Sequence, residues 1–118
     1  MTLTKIKKYC LSKKGAAEDF PFDFETLVIK IGPKMFALMN INSRPVSVNL
    51  KCEPFLAMEL RDRYKAVTPG YHMNKVHWNT VLIDGSIPDK EIILMIDHSY
   101  ELVYKSLSGR EKEKIEKL

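Results

Sequence analysis

The spacing of apolar residues changes several times along the chain, and each change marks a new element. Leu3, Ile6, Tyr9 and Cys10 recur at three- and four-residue intervals, which predicts a helix capped by Thr2 or Thr4 and stopped by Gly15. Lys5, Lys7, Lys8, Lys13 and Lys14 flank that stripe as a solvated face. From Glu18 the period shortens: Phe20, Phe22 and Phe24 alternate around Pro21 and Asp23, predicting an extended segment at a sheet edge, where proline is tolerated. Residues 26–31 (TLVIKI), 34–39 (KMFALM) and 46–51 (VSVNLK) then read as three strands. Gly32-Pro33 supplies a tight turn between the first two, and residues 40–45 form a longer loop before the third. Strands joined this closely imply an antiparallel meander.

Pro54 opens a second helix with Phe55, Leu56, Met58, Leu60 and Tyr64 as apolar positions and Arg61, Asp62 and Arg63 near its end. Residues 66–71 read as a loop around Pro69-Gly70, and 76–83 (VHWNTVLI) as a strand ending at a turn on Asp84-Gly85. A long helix begins near Pro88, with Ile92, Ile93, Ile96, Tyr100, Val103 and Leu107 on one stripe. Gly109 is expected to end it, leaving 110–118 as a charged tail that frays or adds a turn. Helix, strands, helix, strand, helix is the order of an α+β fold, with helices packed on one face of an antiparallel sheet. The other face is wet or meets a partner.

Composition fits one domain over residues 1–118. At 45% hydrophobic and 29% charged residues, wholesale disorder is disfavoured and one core is affordable without staples. No apolar run is long enough to span a membrane, and the lysine-rich start lacks the apolar segment of a signal peptide. Cys10 and Cys52 belong to no CxxC pair and read as two free thiols in a reducing compartment, so a cytoplasmic location is expected. Their separation in space, and hence a disulfide, is not readable from the sequence. The net charge of +4 permits a polyanionic partner without requiring one.

Candidate chemistry concentrates in residues 69–80, PGYHMNKVHWNT. His72 and His77 stand five apart across a loop-to-strand junction, unlike the i, i+4 pair of a helical metal site, and neither cysteine has finger spacing. No paired carboxylates, GxGxxG or Walker pattern occurs, so the chain is expected to have no catalytic residues, metal or cofactor. Binding fits better. Tyr71, His72, Asn74, Lys75, His77 and Trp78 can stack on a base, donate to phosphate or bond a base edge, and Lys34, Arg44 and Lys51 could extend the patch. On a strand, His77 and Asn79 would share one exposed face and Trp78 and Thr80 the other. Trp78, the sole tryptophan, is either core or surface on this reading. An interaction domain for a protein or small ligand is the alternative to DNA binding.

Six stretches, in order along nearly the whole chain, resemble the MmcQ/YjbR family of small bacterial proteins: DFPFDFETLVIKI, KMFAL, VNLKCEP, ELRDRY, PGYHMNKVHWNTV and DHSYELVYKSL. The resemblance implies a CyaY-like, frataxin-related α+β fold and a double-wing DNA-binding role in which two β-hairpins act as wings. It implies no catalytic activity or cofactor. Frataxin kinship also raises iron binding, but frataxins use an acidic first helix. Here Lys5, Lys7 and Lys8 stand in that helix with no carboxylate before Glu18, which argues against iron delivery.

Overall fold

The computed structural model describes residues 1–71 and 73–118. Helix α1 (Leu3–Leu11) leads into β1 (Ala16–Asp19), β2 (Thr26–Ile31), β3 (Lys34–Asn40) and β4 (Val46–Lys51). Helix α2 (Pro54–Arg63), β5 (Val67–Pro69), β6 (Trp78–Ile83), α3 (Asp89–Ser106) and α4 (Gly109–Glu116) complete the chain. All strand pairs are antiparallel, in the order β1-β2-β3-β4-β6-β5. The expected α+β architecture is present, and no helix among the described residues is long and apolar enough to cross a membrane.

Local chemistry accounts for the element ends. Thr2 caps α1 by accepting from the Lys5 amide at 3.2 Å, and Gly32 takes a left-handed φ of 58° in the turn between β2 and β3. At α2 the cap is Glu53, whose carboxylate accepts from the amides of Phe55 and Leu56, each at 3.0 Å, directly before Pro54. Those two bonds hold the Glu53 carboxyl below its ordinary pKa.

Several expectations are corrected. The edge strand is Ala16–Asp19, and Phe20, Phe22 and Phe24 follow it as exposed loop residues, because Asp23 turns the chain by accepting from the amides of Glu25 and Thr26. Within the expected loop at 66–71 lies β5, which pairs along β6 from Val67↔Val81 to Pro69↔Asn79. β6 starts at Trp78, two residues later than expected. Helix α3 stops at Ser106 rather than Gly109, and the charged tail forms α4. Ser108 accepts from the Glu111 amide at 3.1 Å while Glu111 accepts from the Ser108 amide at 2.8 Å, a capping box that the tail's charge content obscured. Lys7 and Lys13 are ion-paired to Glu18 and Asp97, so the first lysine cluster is not wholly a solvated face.

The main core lies between the helices and the sheet and includes Ile6, Leu27, Ile29, Phe36, Val48, Leu50, Ile92 and Ile96. A β-bulge shapes it. The β2–β3 register runs through Ile29↔Ala37 and resumes at Lys30↔Met35, so Phe36 is the extra residue. Phe36 therefore joins Ala37 in the helical core, meeting Tyr100 edge-on at 5.3 Å, and Met35 returns to the opposite face beside Leu38. The β3–β4 ladder stops at Ala37↔Leu50, next to the bulge. There the Ser99 hydroxyl, fully buried on α3, accepts from the Lys51 amide at 2.9 Å and donates to the Phe36 carbonyl at 2.6 Å. One side chain thus satisfies both strands where they part and sets the depth of α3 on the sheet.

Ser99→Ala strands that buried amide and carbonyl. The expected cost is about 2 kcal/mol, read as a lower urea midpoint with the slope unchanged.

Candidate functional site

The segment from Pro69 to Trp78 is held from both sides of the sheet. Gly70 donates to the Trp78 carbonyl at 2.8 Å, and a Cβ on Gly70 would stand 2.8 Å from the Trp78 Cβ, so only glycine permits this closure. Asn74 accepts from the Val76 amide at 3.0 Å through its side chain and from the His77 amide at 3.2 Å through its carbonyl. The His77 carbonyl accepts from the Cys52 amide at 2.7 Å, which ties the loop to the end of β4.

Arg61 of α2 braces the segment from the helical side. Its Nε donates to Asn79 Oδ1 at 2.7 Å, and its NH2 donates to the Trp78 carbonyl at 3.3 Å and to the Lys75 carbonyl. Asn79 is 2% exposed, with Nδ2 within 3.5 Å of the Ala57 carbonyl. Asn79 is thus buried, correcting its expected exposure beside His77, because the side chain that receives Arg61 must lie under the helix.

Trp78 and Thr80 point to the opposite face, as alternation predicts. Trp78 is buried there with Val28 and Leu38, covered by Met35 and Met73. Around this small cluster runs an open groove of about 790 Å³. Phe22 and Tyr71 supply aromatic rings, and Asn49, Asn74 and Thr80 supply hydrogen-bonding groups. The Thr80 hydroxyl accepts from the Tyr71 amide at 2.9 Å and donates to Asn49 Oδ1 at 2.5 Å, so β4, β6 and the loop share one polar network in the groove.

The expected binding residues divide among several places. Tyr71 and Asn74 line the groove; Lys75 and His77 are exposed on the adjoining loop; Trp78 lies beneath its wall. His72 lies outside the described residues. Arg44 is in the β3–β4 loop, its NH1 donating to the carbonyls of Ile41 and Ser43 at 3.1 and 2.6 Å. Lys34 instead reaches the end of α3, with Nζ donating to the Ser106 carbonyl at 2.9 Å. Lys51 stands opposite Trp78 in the β4–β6 register, between Leu50 and Cys52 of the helical core, and so shares the open face with Trp78 at the end of β4. Lys34 therefore does not join the groove that Tyr71 and Asn74 line, and Lys51 stands on the groove's side of the sheet outside its lining residues.

Arg61, Asn49 and Met73 were missed as site residues. Ser47 and Asn49 alternating with Val48 and Leu50 did mark a polar sheet face. Arg61, next to buried Leu60, had no comparable signal.

The thiols are inert in this setting. Cys10 and Cys52 are free and buried, and burial pushes their pKa values up to about 12 and about 11. His98 on α3 accepts from the Glu53 amide at 3.1 Å through Nε2, and desolvation holds its pKa below the ordinary 6.5.

The YjbR family pattern matches residues 11–102. The chain belongs to the YjbR family. The uncharacterized protein YjbR of Escherichia coli K12 is 38% identical over 116 residues, covering 98% of this chain and 97% of that protein. YyaQ of Bacillus subtilis, also described as uncharacterized, is 28% identical over 86% of this chain and 98% of its own length. The crystal structure of Deinococcus radiodurans DR2400, assigned to domain family DUF419, superposes with a TM-score of 0.91. It is 36% identical, over 97% of this chain and 87% of that one. A crystal structure of a Pseudomonas syringae protein gives 0.76 at 30% identity, over 87% of this chain and 99% of that one. None of these relatives indicates an enzyme family.

Two measurements check the site's construction. Arg61→Ala leaves the Asn79 Oδ1 and the Lys75 carbonyl without this donor, while the Trp78 carbonyl keeps the Gly70 amide; a loss of about 3 kcal/mol is expected, with amide exchange accelerated first at residues 74–79. Protonating His98 removes the acceptor for the Glu53 amide. Because its folded-state pKa lies below 6.5, its contribution to stability is complete above that pH. It falls as pH drops from 6.5 toward the folded-state value and then levels off. His98→Gln keeps an acceptor without titrating, so urea midpoints between pH 7 and pH 5 should fall less in this variant than in the parent.

Proposed function

We propose that this chain is a non-catalytic binding module that takes a small, uncharged, flat-faced ligand on the open face of its sheet. The observation that carries the reading is the groove's lining: none of its described residues is charged. Its volume of about 790 Å³ is within the range of small-molecule sites. Phe22 and Tyr71 offer ring faces, Met35 and Met73 offer polarizable walls, and Asn49, Asn74 and Thr80 offer donors and acceptors in the same space. That combination matches an uncharged heteroaromatic ring with hydrogen-bonding edges, the chemistry of a nucleobase or nucleoside. A phosphate-rich ligand would meet no cation in the groove itself.

DNA binding, with the double-wing arrangement that the resemblance implies, is the second reading. It is favoured by Arg44 and Lys75, which stand next in sequence to the groove residues Ser43 and Asn74. In that reading unpaired bases enter the groove while the two cations contact phosphates. Lys34 plays no part in it, because its ammonium is bonded at the end of α3, whereas Lys51 shares the open face with Trp78.

Trp78 gives a direct readout, since the only tryptophan packs against the groove residues Met35 and Met73. Titration with neutral nucleosides should change its fluorescence in a salt-insensitive way. Asn49→Leu and Tyr71→Ala should each weaken binding about tenfold. A response to single-stranded oligonucleotides only, falling steeply with salt and lost in Arg44→Ala or Lys75→Ala, transfers the groove to the nucleic-acid reading. No response to nucleosides or oligonucleotides overturns both.

A further inference from the structure

The neutral lining of the groove has a polarity of its own, set by where its amide oxygens go. Asn49 lies opposite Leu38 on one side and Thr80 on the other, while Val48 and Leu50 beside it are in the helical core. Its side chain therefore leaves on the open face, where Leu38 meets Trp78. Asn40 leaves by the same face, two residues after Leu38 and next to Met39 of the helical core. Asn74 lines the groove from the loop.

In each of the three the oxygen is committed within the protein. Asn40 Oδ1 accepts from the Asn42 amide at 2.8 Å, and Asn74 Oδ1 from the Val76 amide at 3.0 Å. Asn49 Oδ1 takes the one proton of the Thr80 hydroxyl, whose oxygen accepts from the Tyr71 amide. Backbone N–H groups can only donate, so they dictate which way each side-chain amide is turned, directly at Asn40 and Asn74 and through Thr80 at Asn49. Among the described residues no acceptor takes an Nδ2 hydrogen from any of the three. Of the aliphatic hydroxyls on the lining, those of Thr26, Ser43 and Thr80 already hold a bond, and Ser47 is left to serve in either sense. An oxygen with one partner is satisfied, whereas an N–H sealed from water without one costs its full desolvation. A ring laid on this floor must therefore bring acceptors, and an amino substituent would set N–H against N–H.

Resting on the reading of the groove as a site for a neutral heteroaromatic ligand, we propose that it selects among such rings by their carbonyl edges. It takes oxo-substituted bases of the uracil and hypoxanthine kind, with carbonyl oxygens on Nδ2 of Asn49 and Asn40. It rejects the amino-substituted counterparts, cytosine and adenine. Asn49 and Asn40 are then the specificity-determining residues. The Ser47 hydroxyl, on the same face two residues from Asn49, accepts the ring N–H that accompanies an oxo group.

Matched nucleosides added to the full chain separate the edge from the ring. Inosine and adenosine, like uridine and cytidine, differ only in the oxo-for-amino exchange and the ring proton that goes with it. Trp78 fluorescence gives each affinity, and the side-chain NH2 resonances of Asn40 and Asn49 report the contact. Inosine and uridine should bind about tenfold more tightly than their counterparts and shift both resonances. Asn49→Asp and Asn40→Asp keep the oxygen that the Thr80 hydroxyl and the Asn42 amide use, and replace the NH2 by an acceptor. Each should bring the affinity ratio within a pair close to unity; both members are neutral, so the added charge cancels in that ratio. Equal affinity within both pairs of the parent chain, or preference for the amino member, overturns the carbonyl-edge proposal and leaves the neutral-ligand reading of the groove standing. A preference that survives in both variants overturns it as well. The absence of a response to all four nucleosides overturns it together with the reading on which it rests.

Discussion

The guanidinium of Arg61 is the contact on which both sides of the sheet depend. It joins the helix above, α2, to an amide buried within the sheet, Asn79, and to the backbone of the loop entering β6. Three acceptors on one planar fork fix direction as well as distance. With Asn79 held toward α2, pleating obliges Trp78 and Thr80 to point the other way. The apolar cluster beneath the groove and the Asn49–Thr80–Tyr71 network above it follow from that choice. Lysine would keep the charge but not the fork, which is why this position is more restrictive than its place near a helix end implies.

The bulge at Phe36 makes a matching choice on the other half of the sheet. Without it, Phe36 would share a face with Leu38, and Met35 would lie in the helical core. With it, Phe36 fills the space against Tyr100, and Met35 and Leu38 both reach Trp78. The interrupted ladder leaves a donor and an acceptor that the Ser99 hydroxyl satisfies from α3. A ladder defect, a helix position and an open-face cluster are therefore one solution rather than three.

Regular elements were legible in the chain because their periods were uninterrupted. The strands at 26–31 and 46–51, the Gly32-Pro33 turn and the helix opened by Pro54 fall where spacing puts them. Two of the misreadings share a cause, which is that long-range contacts overrode local composition. Residues 67–69 form a strand only because β6 is alongside, and the charged tail is helical with Ile115 buried near Gly15. At the site, type was legible and placement was not. Tyr71 and Asn74 were found from a cluster of polar and aromatic letters. Lys34 was grouped with them on charge alone, and charge says nothing of which partner a side chain reaches.

That last point bears on how a net charge of +4 is to be read. Nonspecific attraction to a polyanion needs cations on one surface, since counterion release scales with the phosphates neutralised together. In this fold Lys34 is spent on the end of α3, Lys13 on Asp97, Lys7 on Glu18 and Arg61 on the loop. The strand face that remains open is lined by rings, thioethers, amides and hydroxyls. Such a surface discriminates by shape and hydrogen-bond pattern, and desolvating its amides is repaid only by a ligand that returns their bonds. The distribution of charge, more than its sum, thus favours recognition of a neutral ring over capture of a backbone.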